Sequence, residues 1–406
     1  MNPIAIYALT SALHDPQSVA ALTKEFLSDL HISYDWEGDD FTDYGSHDLN
    51  LIYVRTGGTE GIFQHLLPQL VAKSDKPFYI MASDKSNSLA ASMEILSYLQ
   101  QQGLQGEILH GDTEYVTERI ALLSKVETAR KRLQHCRLGI IGEPSDWLIS
   151  SHVDADVVRQ KLGVELVSIP IKELFETLEN TPEQIVKEKS DVQAIQTALP
   201  MATRIYAALK SIIQKYDLQG FTLRCFDLLD TIHNTGCWAL AKLNAEGYIA
   251  GCEGDVPTML TMMTVRALLG TSGFQCNPAS INPETGAILF AHCTIPFDMV
   301  QHYELDTHYE SGIGVGIRGH VQEGPVTILK LSGDLSRCFI AEGELVQNQA
   351  NPNLCRTQLL VRLKDPKQTE YFLTHPIGNH HVVTIGYHAA VLNAFWQRNT
   401  PKNLIL

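Results

Sequence analysis

The sequence predicts an α/β protein in which two Rossmann-like parallel-sheet domains are followed by an antiparallel β domain. Three observations lead to this fold class. Short β-rich runs alternate with helical stretches up to residue 133, the alternation restarts at residue 134, and a period-two pattern begins at residue 296. At 406 residues the chain is also too long for one ordinary core, so several domains are expected.

The N-terminal α/β domain is predicted over residues 1–133. Its strands are expected at "PIAIYAL", "LNLIYVR", "PFYIMAS" and "QGEILHG", with a stretch of helical spacing between each pair. Such alternation is typical of a parallel sheet with helices on both faces. A charged helical stretch, "VTERIALLSKVETARKRLQ", leads to the domain boundary.

The central α/β domain is predicted over residues 134–295. Strand, loop, helix and strand signals follow one another in "RLGIIGEPSDWLISSHVDADVVRQKLGVELVSIP", and the pattern continues through "FTLRCFDLL" to "GAILFAHC". Within it, "YIAGCEGDVPTMLTMMTVRALLG" has a buried strand that ends in two carboxylates and passes directly into a Met- and Leu-rich helix. This domain is therefore expected to carry the acidic part of a functional site.

The C-terminal β domain is predicted over residues 296–406. The runs "GPVTILKLSG", "CFIAEGELV", "QLLVRLK" and "HHVVTIGYH" alternate at period two, with Gly, Asn and Pro between them. This spacing is typical of antiparallel strands. A final helix is predicted at "AAVLNAFWQRN".

Composition and charge narrow the function. A net charge of −15 argues against a nucleic-acid partner, because phosphate binding needs basic patches. No apolar run approaches the roughly 20 residues of a membrane span, and "MNPIAIYALTSALHDP" predicts a first strand rather than a signal peptide. The eight cysteines occur singly without a C-x-x-C pair, which favours free thiols in a reducing, cytoplasmic setting.

Three loops are expected at the carboxyl ends of parallel strands, where ligands collect in open sheets. "VRTGGTEGIF" could present Gly57, Gly58 and Thr59 to hydroxyls or an anion, although it matches neither the Walker nor the dinucleotide fingerprint. In "IGEPSDWL", Ser145 and Asp146 could cap the next helix. Glycine-bearing turns of this kind are more often only turns. The third loop, "GCEGDV", carries the stronger signal.

Two acidic residues lie in the "GCEGDV" loop. Asp255 is placed to be a plain N-cap of the following helix. Glu253 lies between a buried strand and a buried helix, where an unpaired carboxylate costs several kcal/mol unless it meets a partner or a cation. Glu253 is therefore the first candidate for a metal ligand.

Histidines in the C-terminal part of the chain could complete such a site. His292 follows an apolar strand in "GAILFAHC", and His380 and His381 begin another in "GNHHVV". Adjacent residues of a strand point to opposite faces, so at most one of the pair enters a given site. Carboxylate with imidazole, without thiolate pairs, suits Mn²⁺ or Mg²⁺ better than structural zinc.

In this order, "GCEGDVPTMLTMMTVRALLG", "NPETGAILFAHC" and "GNHHVV" resemble the signature of the L-fucose isomerase and L-arabinose isomerase family. The resemblance covers roughly residues 135–390 and is only architectural before that. It implies an Mn²⁺-dependent aldose–ketose isomerase with two α/β domains, a C-terminal β domain and a shortened N-terminal region.

The resemblance also implies roles for particular residues. Glu253 matches the first metal ligand and proton-transfer base, and Asn277 takes the second catalytic and metal-binding place, where the family has Asp or Glu. His292 matches an imidazole near the metal. The C-terminal histidine ligand is His380 or His381, and His380 is preferred.

Further residues are candidates for binding the substrate. Thr59 and Asp255 follow strands of the two α/β domains, and "THYESGIGVGIRG" supplies His308, Glu310 and Arg318 for the far end of a sugar. The last segment is equally compatible with a turn of the β domain. An arginine at that place would suit an anionic sugar such as a sulfonated hexose.

The predicted function is a metal-dependent aldose–ketose isomerase that works through a cis-enediol, with Mn²⁺ or Mg²⁺ as cofactor and a homo-trimer or homo-hexamer as assembly. One alternative is a non-catalytic intracellular sugar-binding or regulatory homologue. A second is a hydrolase with paired carboxylates, for which Asp255 is the only strong partner of Glu253.

Overall fold

The computed structural model describes residues 2–182, 184–185 and 188–396. It divides into two compact units, Met1–Lys131 and Arg132–Leu406. None of the described helices combines the length and the apolar character needed to cross a membrane.

The first unit is a five-stranded parallel sheet with the strand order β2-β1-β3-β4-β5. Alternate residues of its first strand enter different cores, so that Tyr7 packs with the second and third helices and Ile6 with the first and fourth. The strands are β1 (Ile4–Leu9), β2 (Asp35–Gly38), β3 (Leu49–Val54), β4 (Phe78–Ala82) and β5 (Gly106–Leu109), and the helices are α1 (Pro16–Asp29), α2 (Glu60–Lys73), α3 (Ser88–Gln101) and α4 (Thr113–Leu133).

The second unit begins with a four-stranded parallel sheet of order β7-β6-β8-β9. Asp154 caps α5, so the cap expected from Ser145 and Asp146 lies too early in the chain; those two residues belong to a turn instead. The strands are β6 (Arg137–Ile141), β7 (Glu165–Ile169), β8 (Gly220–Leu223) and β9 (Ile249–Cys252), and the helices are α5 (Ala155–Leu162), α6 (Ile171–Asn180), α7 (Gln193–Tyr216), α8 (Asp227–Ile232), α9 (Cys237–Ala245) and α10 (Val256–Leu269).

The same unit continues into a closed antiparallel barrel of order β10-β11-β16-β15-β14-β17, with a separate β12–β13 hairpin. The strands are β10 (Phe274–Asn282), β11 (Ala287–His292), β12 (His302–Asp306), β13 (Gly316–His320), β14 (Gly324–Leu331), β15 (Cys338–Gln349), β16 (Thr357–Leu363) and β17 (His381–Ile385). Short 3₁₀ turns (Phe297–Met299 and Pro366–Gln368) and the helices α11 (Thr369–Thr374) and α12 (Ala389–Trp396) complete it. Residues 397–399 of the predicted final helix lie outside the described residues.

The predicted fold class is confirmed: two parallel-sheet α/β regions precede an antiparallel β region. The barrel already starts at Phe274, before residue 296, where the sequence analysis begins the β domain. The difference arises because Pro278 interrupts β10, and because the short apolar run of β11 does not reveal whether the strand is parallel or antiparallel.

Helices α7 and α10 join the parallel sheet to the barrel. Leu199 in the first half of α7 packs into the barrel core, and Leu209 in its second half packs into the core of the sheet. Helix α10 is apolar on all sides because it contacts β8 and β9 of the sheet as well as β14 and β17 of the barrel. This packing brings the end of β9 close to the end of β11 and the start of β17.

Candidate metal and sugar site

Glu253, His292 and His380 converge at this junction. One potential ligand atom from each lies within 4.8 Å of the other two, and all three residues are buried. The Oε1 atom of Glu253 lies 3.3 Å from Nε2 of His380 and 3.5 Å from Nε2 of His292. Residues far apart in the chain thus present a carboxylate and two imidazoles to one point.

The backbone at the end of β9 fixes Glu253. This residue has a left-handed conformation, with φ of 64°, and so does Gly254, with φ of 70°. A Cβ atom at Gly254 would lie 2.5 Å from the carbonyl oxygen of Glu143, so this position requires glycine. The Ser145 N–H donates a 2.9 Å hydrogen bond to the Glu253 carbonyl. The tight turn directs the Glu253 side chain back towards the two histidines.

Asp255 orients His380 from behind. One carboxylate oxygen accepts from the Thr258 N–H at 2.8 Å and caps α10, and the other accepts from His380 Nδ1–H at 2.8 Å. Because an ionised carboxylate only accepts hydrogen bonds, Nδ1 must be the donor, which leaves Nε2 facing Glu253. A carboxylate behind a histidine is the usual outer support of a metal-binding imidazole.

The charges of this group are set by burial and by close neighbours. Burial opposes ionisation of Glu253, but the adjacent imidazolium of His380 holds the pKa of Glu253 far below its usual range. Burial likewise works against the His380 cation, yet Glu253 and the hydrogen bond to Asp255 raise the pKa of His380 to about 9. In the metal-free protein His380 therefore carries a proton at neutral pH, at the place where a cation would bind.

The residues at this point fit a divalent metal ion. Nε2 of His380 is fully buried and makes no well-aligned hydrogen bond within the described chain, and its near neighbour, 3.3 Å away, is the Glu253 carboxylate that would bind the same ion. Two imidazoles and a carboxylate are donors that suit Mn²⁺, Fe²⁺ and Zn²⁺. A bound cation would replace the His380 proton and neutralise Glu253.

Comparisons with known proteins point in the same direction. A family model described as the L-arabinose isomerase central domain matches residues 150–271, a segment that includes Glu253 and Asp255. Proteins named sulfoquinovose isomerase from Priestia aryabhattai and Priestia megaterium are each 22% identical over 236 residues, which cover 54% of this chain and 53% of the relative. A third, from a Clostridium species, is 23% identical over 193 residues, 45% of this chain and 43% of the relative.

These matches support the predicted resemblance to the L-arabinose and L-fucose isomerase family. The chain spans about half the length of the curated relatives that it matches. The matched family segment ends at residue 271, before His292 and His380, so the assignment of the two imidazoles to the site rests on the geometry of the three ligand atoms.

A pocket opens beside the three ligand atoms. Among the described residues that line it there is neither lysine nor arginine, and its polar groups include Thr235 and Asn277. Cys225 Sγ and Cys252 Sγ lie 3.0 Å apart in its wall. Five of the eight free thiols line this pocket: Cys225, Cys237, Cys252, Cys293 and Cys355.

Several of the predicted site residues lie in this pocket. Asn277 lines it beside Glu253, and its place in β10, opposite Ala291 of β11, puts it next to His292 in the barrel. His308 and Glu310 also line the pocket. Burial lowers the pKa of His308 to about 4, whereas burial and the nearby Glu253 raise the pKa of Glu310. Both side chains are therefore biased towards their neutral forms.

Other predicted residues lie elsewhere. His381 does not line this pocket, and its Nε2 atom lies 3.1 Å from the phenol oxygen of Tyr371. Arg318 donates a 2.7 Å hydrogen bond to Asp306 and does not line the pocket. Asp255 is fully buried with both oxygens engaged, and Thr59 lies in the first unit, where its hydroxyl donates to the Thr56 carbonyl.

Two residues of the site, Trp147 and Lys330, were not predicted from the sequence. The indole N–H of Trp147 donates a 2.7 Å hydrogen bond to Oε2 of Glu253, and the buried Nζ of Lys330 lies 3.7 Å from Asp255. Trp147 could have been found, because its loop follows β6 and therefore lies at the same sheet edge as Glu253. Lys330 lies in a strand at large sequence separation, and no local pattern connects it to the site.

Proposed function

We propose that this chain is a metal-dependent aldose–ketose isomerase that acts through a cis-enediol. The observation that carries the proposal is the convergence of Glu253, His292 and the Asp255-supported His380 at one buried point beside a pocket. Similarity to sugar isomerases supports the same reaction class. We propose Mn²⁺ as the cofactor, with Mg²⁺ as the alternative.

In this proposal Glu253, His292 and His380 hold the metal ion, and Asn277 is the candidate for an additional neutral oxygen ligand. When bound, the ion would act as a Lewis acid that polarises the two sugar oxygens nearest to it. Asp255 keeps the His380 ring oriented, as its hydrogen bond to Nδ1 indicates. The thiols and Phe226 in the pocket wall limit access of water.

Glu253 is proposed to move the proton. It is ionised at neutral pH and can therefore accept a proton from C2 of an aldose, which gives the enediolate form of the cis-enediol. The same carboxyl group then returns the proton to C1 while a hydroxyl proton passes from O2 to O1, and the ketose results. No atom is gained or lost, in keeping with an isomerisation.

We propose a hexose as the substrate, in either a neutral or a sulfonated form. The names of the relatives favour the sulfonated form. The polar lining of the pocket suits hydroxyl groups but contains neither lysine nor arginine, and Arg318 is already paired with Asp306. A sulfonate would therefore need a cation from outside the described pocket lining, and we propose that it would lie at the end of the sugar away from Glu253.

We also propose a closed homo-trimer or homo-hexamer in the cytoplasm. The support is the family resemblance and the absence of a pocket-lining cation for an anionic sugar among the described residues. Light scattering at micromolar concentration should give a mass of three or six chains. A monomer with full activity would contradict the assembly without affecting the proposed chemistry.

The central test is an isomerase assay on a panel of aldoses, including neutral hexoses and a 6-sulfonated hexose, with chelated protein and with protein reloaded with Mn²⁺. Turnover should require the metal and should fall by at least about 10³-fold in Glu253→Gln, because the amide cannot accept the proton. Glu323→Gln makes the same chemical change at an exposed residue and should leave turnover unchanged. Sugar binding without turnover under all these conditions would favour the non-catalytic alternative.

A further inference from the structure

Trp147 makes an unusual contact for a surface tryptophan. Its side chain is 50% exposed, yet its indole N–H donates a 2.7 Å hydrogen bond to Oε2 of Glu253, which is only 8% exposed. The other carboxylate oxygen, Oε1, is the one that faces His380 and His292. The two oxygens of one carboxylate therefore have different partners.

The loop that carries Trp147 also holds the backbone of Glu253. Ser145 donates its N–H to the Glu253 carbonyl at 2.9 Å, and a Cβ atom at Gly254 would lie 2.7 Å from the α-carbon of Pro144, so the loop also approaches the next residue closely. The loop thus contacts the main chain and the side chain of the same residue. A group held at both ends has little freedom to rotate.

Aromatic packing supports the indole ring. Trp147 contacts Phe226 edge to face, with ring centroids 4.8 Å apart, and Phe226 contacts His308 in the same manner at 5.6 Å. Phe226 and His308 both line the pocket. The indole ring of Trp147 therefore packs against a residue of the pocket wall, while Trp147 itself does not line the pocket and stays half exposed.

We propose that Trp147 is a positioning residue that holds Oε2 of Glu253 and so reserves Oε1 as the single carboxylate oxygen for the metal ion. Without the indole N–H, Oε2 would be free to turn towards the metal or towards water, and the carboxylate would have several poses. The effect on metal binding follows from the contacts alone. The effect on turnover rests on the proposed isomerase function.

The test uses Mn²⁺ as the probe and Trp147→Phe, which removes the N–H but keeps a ring against Phe226. Calorimetric titration should show Mn²⁺ affinity about tenfold weaker than in the wild type, as expected when an outer hydrogen bond to a ligand is lost. Where an isomerase substrate is found, kcat should fall by about tenfold while KM changes little, since Trp147 acts on the ligand rather than on the sugar.

Fluorescence gives a readout that a merely structural role would not change. Mn²⁺ bound to Glu253 withdraws charge from the carboxylate that accepts from the indole, so the Trp147 emission should change on titration. This change should vanish in Trp147→Phe and persist in Trp36→Phe, which removes the 43%-exposed tryptophan of the first unit. Thermal unfolding of both variants checks that the fold is retained.

Each result has a defined meaning. Equal Mn²⁺ affinity in the wild type and Trp147→Phe, or an emission change that survives this substitution, would overturn the proposal. Failure of the wild type to bind Mn²⁺ would overturn it as well. Weakened Mn²⁺ binding in Trp147→Phe together with no isomerisation of any sugar would support the positioning role and count against the proposed function only.

Discussion

His380 and His381 are neighbours in the chain, but their surroundings have almost nothing in common. His380 lies between the carboxylates of Glu253 and Asp255, which raise its pKa to about 9 despite burial. His381 lies in the barrel interior among aromatic rings, where burial lowers its pKa to about 3. One imidazole is held as a cation and the other as a neutral ring.

The comparison shows that the hydrogen-bond partners of a buried histidine decide whether it can serve as a ligand. Tyr371 and the Asn379 carbonyl satisfy both ring nitrogens of His381, which leaves it nothing to offer a ligand. His380 has one satisfied nitrogen and one that faces Glu253. A buried imidazole with an unused nitrogen is a candidate ligand, whereas a fully bonded one is part of the core.

Substitution of each histidine by glutamine should give the largest contrast. His380→Gln removes the nitrogen that faces Glu253 and should weaken Mn²⁺ binding by more than about 100-fold. His381→Gln should retain Mn²⁺ affinity but lower the free energy of unfolding by about 1–3 kcal/mol, because buried hydrogen bonds are lost. Calorimetric titration and urea unfolding of both variants measure the two effects. Loss of Mn²⁺ binding in His381→Gln alone would reverse the assignment.

The affinity for Mn²⁺ should depend on pH. With a pKa of about 9, His380 is protonated at pH 6 and at pH 8 alike, so Mn²⁺ must displace its proton throughout this range. Mn²⁺ affinity should therefore rise with pH, by about tenfold per unit from this proton alone, and level off above pH 9. Titrations in two buffers of different protonation enthalpy count the released protons. Affinity that stays constant between pH 6 and pH 8 would show that His380 does not bind the metal.

Asp255→Asn should weaken Mn²⁺ binding by about 10- to 100-fold, because the amide supports the His380 ring without a charge and leaves Lys330 without its counter-ion. The amide oxygen can still cap α10, so helix content by circular dichroism should be retained. Asp154→Asn, at the cap of α5, is the matched control and should leave Mn²⁺ affinity unchanged. If both variants bind Mn²⁺ like the wild type, the hydrogen bond between His380 and Asp255 does not contribute to Mn²⁺ affinity.

Asn277→Asp should have the smallest effect on Mn²⁺ affinity, and it should increase this affinity instead of lowering it. An added carboxylate beside Glu253 increases the ligand charge, so Mn²⁺ should bind about tenfold more tightly. Turnover of an anionic sugar should fall because of repulsion, whereas turnover of a neutral sugar should be little affected. Asn282→Asp, at the exposed end of the same strand, serves as the control. Identical Mn²⁺ affinities in the wild type and Asn277→Asp would place Asn277 outside the coordination sphere.

Much of the fold could be predicted because its signals are local. The alternation around β1, β3 and β4 and the period-two runs of β14 and β17 each identify an element within a few residues. The barrel strands β10 and β11 lacked such a signal, since Pro278 interrupts β10 and the apolar run of β11 is equally compatible with a parallel strand. Their partners, β16 and β17, lie some 70 to 110 residues further along the chain.

Contacts between residues far apart in the chain also limit how much of the candidate site can be predicted. Glu253 could be singled out because a carboxylate between a buried strand and a buried helix is costly in any fold. The choice between His380 and His381 depends on which face of the chain turns towards Asp255, and the sequence does not contain that information locally. Trp147 and Lys330 act through contacts with Glu253 and Asp255 across the unit, so only three-dimensional packing reveals them.

The left-handed conformation of Glu253 has a consequence for how this site can change during evolution. A glutamate with positive φ costs roughly 1–2 kcal/mol compared with a residue that accepts this conformation, such as glycine, asparagine or aspartate. A lineage that no longer needed the carboxylate could gain stability by a single substitution at this position. Under the proposed function, the chemistry of the Glu253 carboxylate would offset this cost, so in a distant relative its loss would be an early sign of drift towards a non-catalytic role.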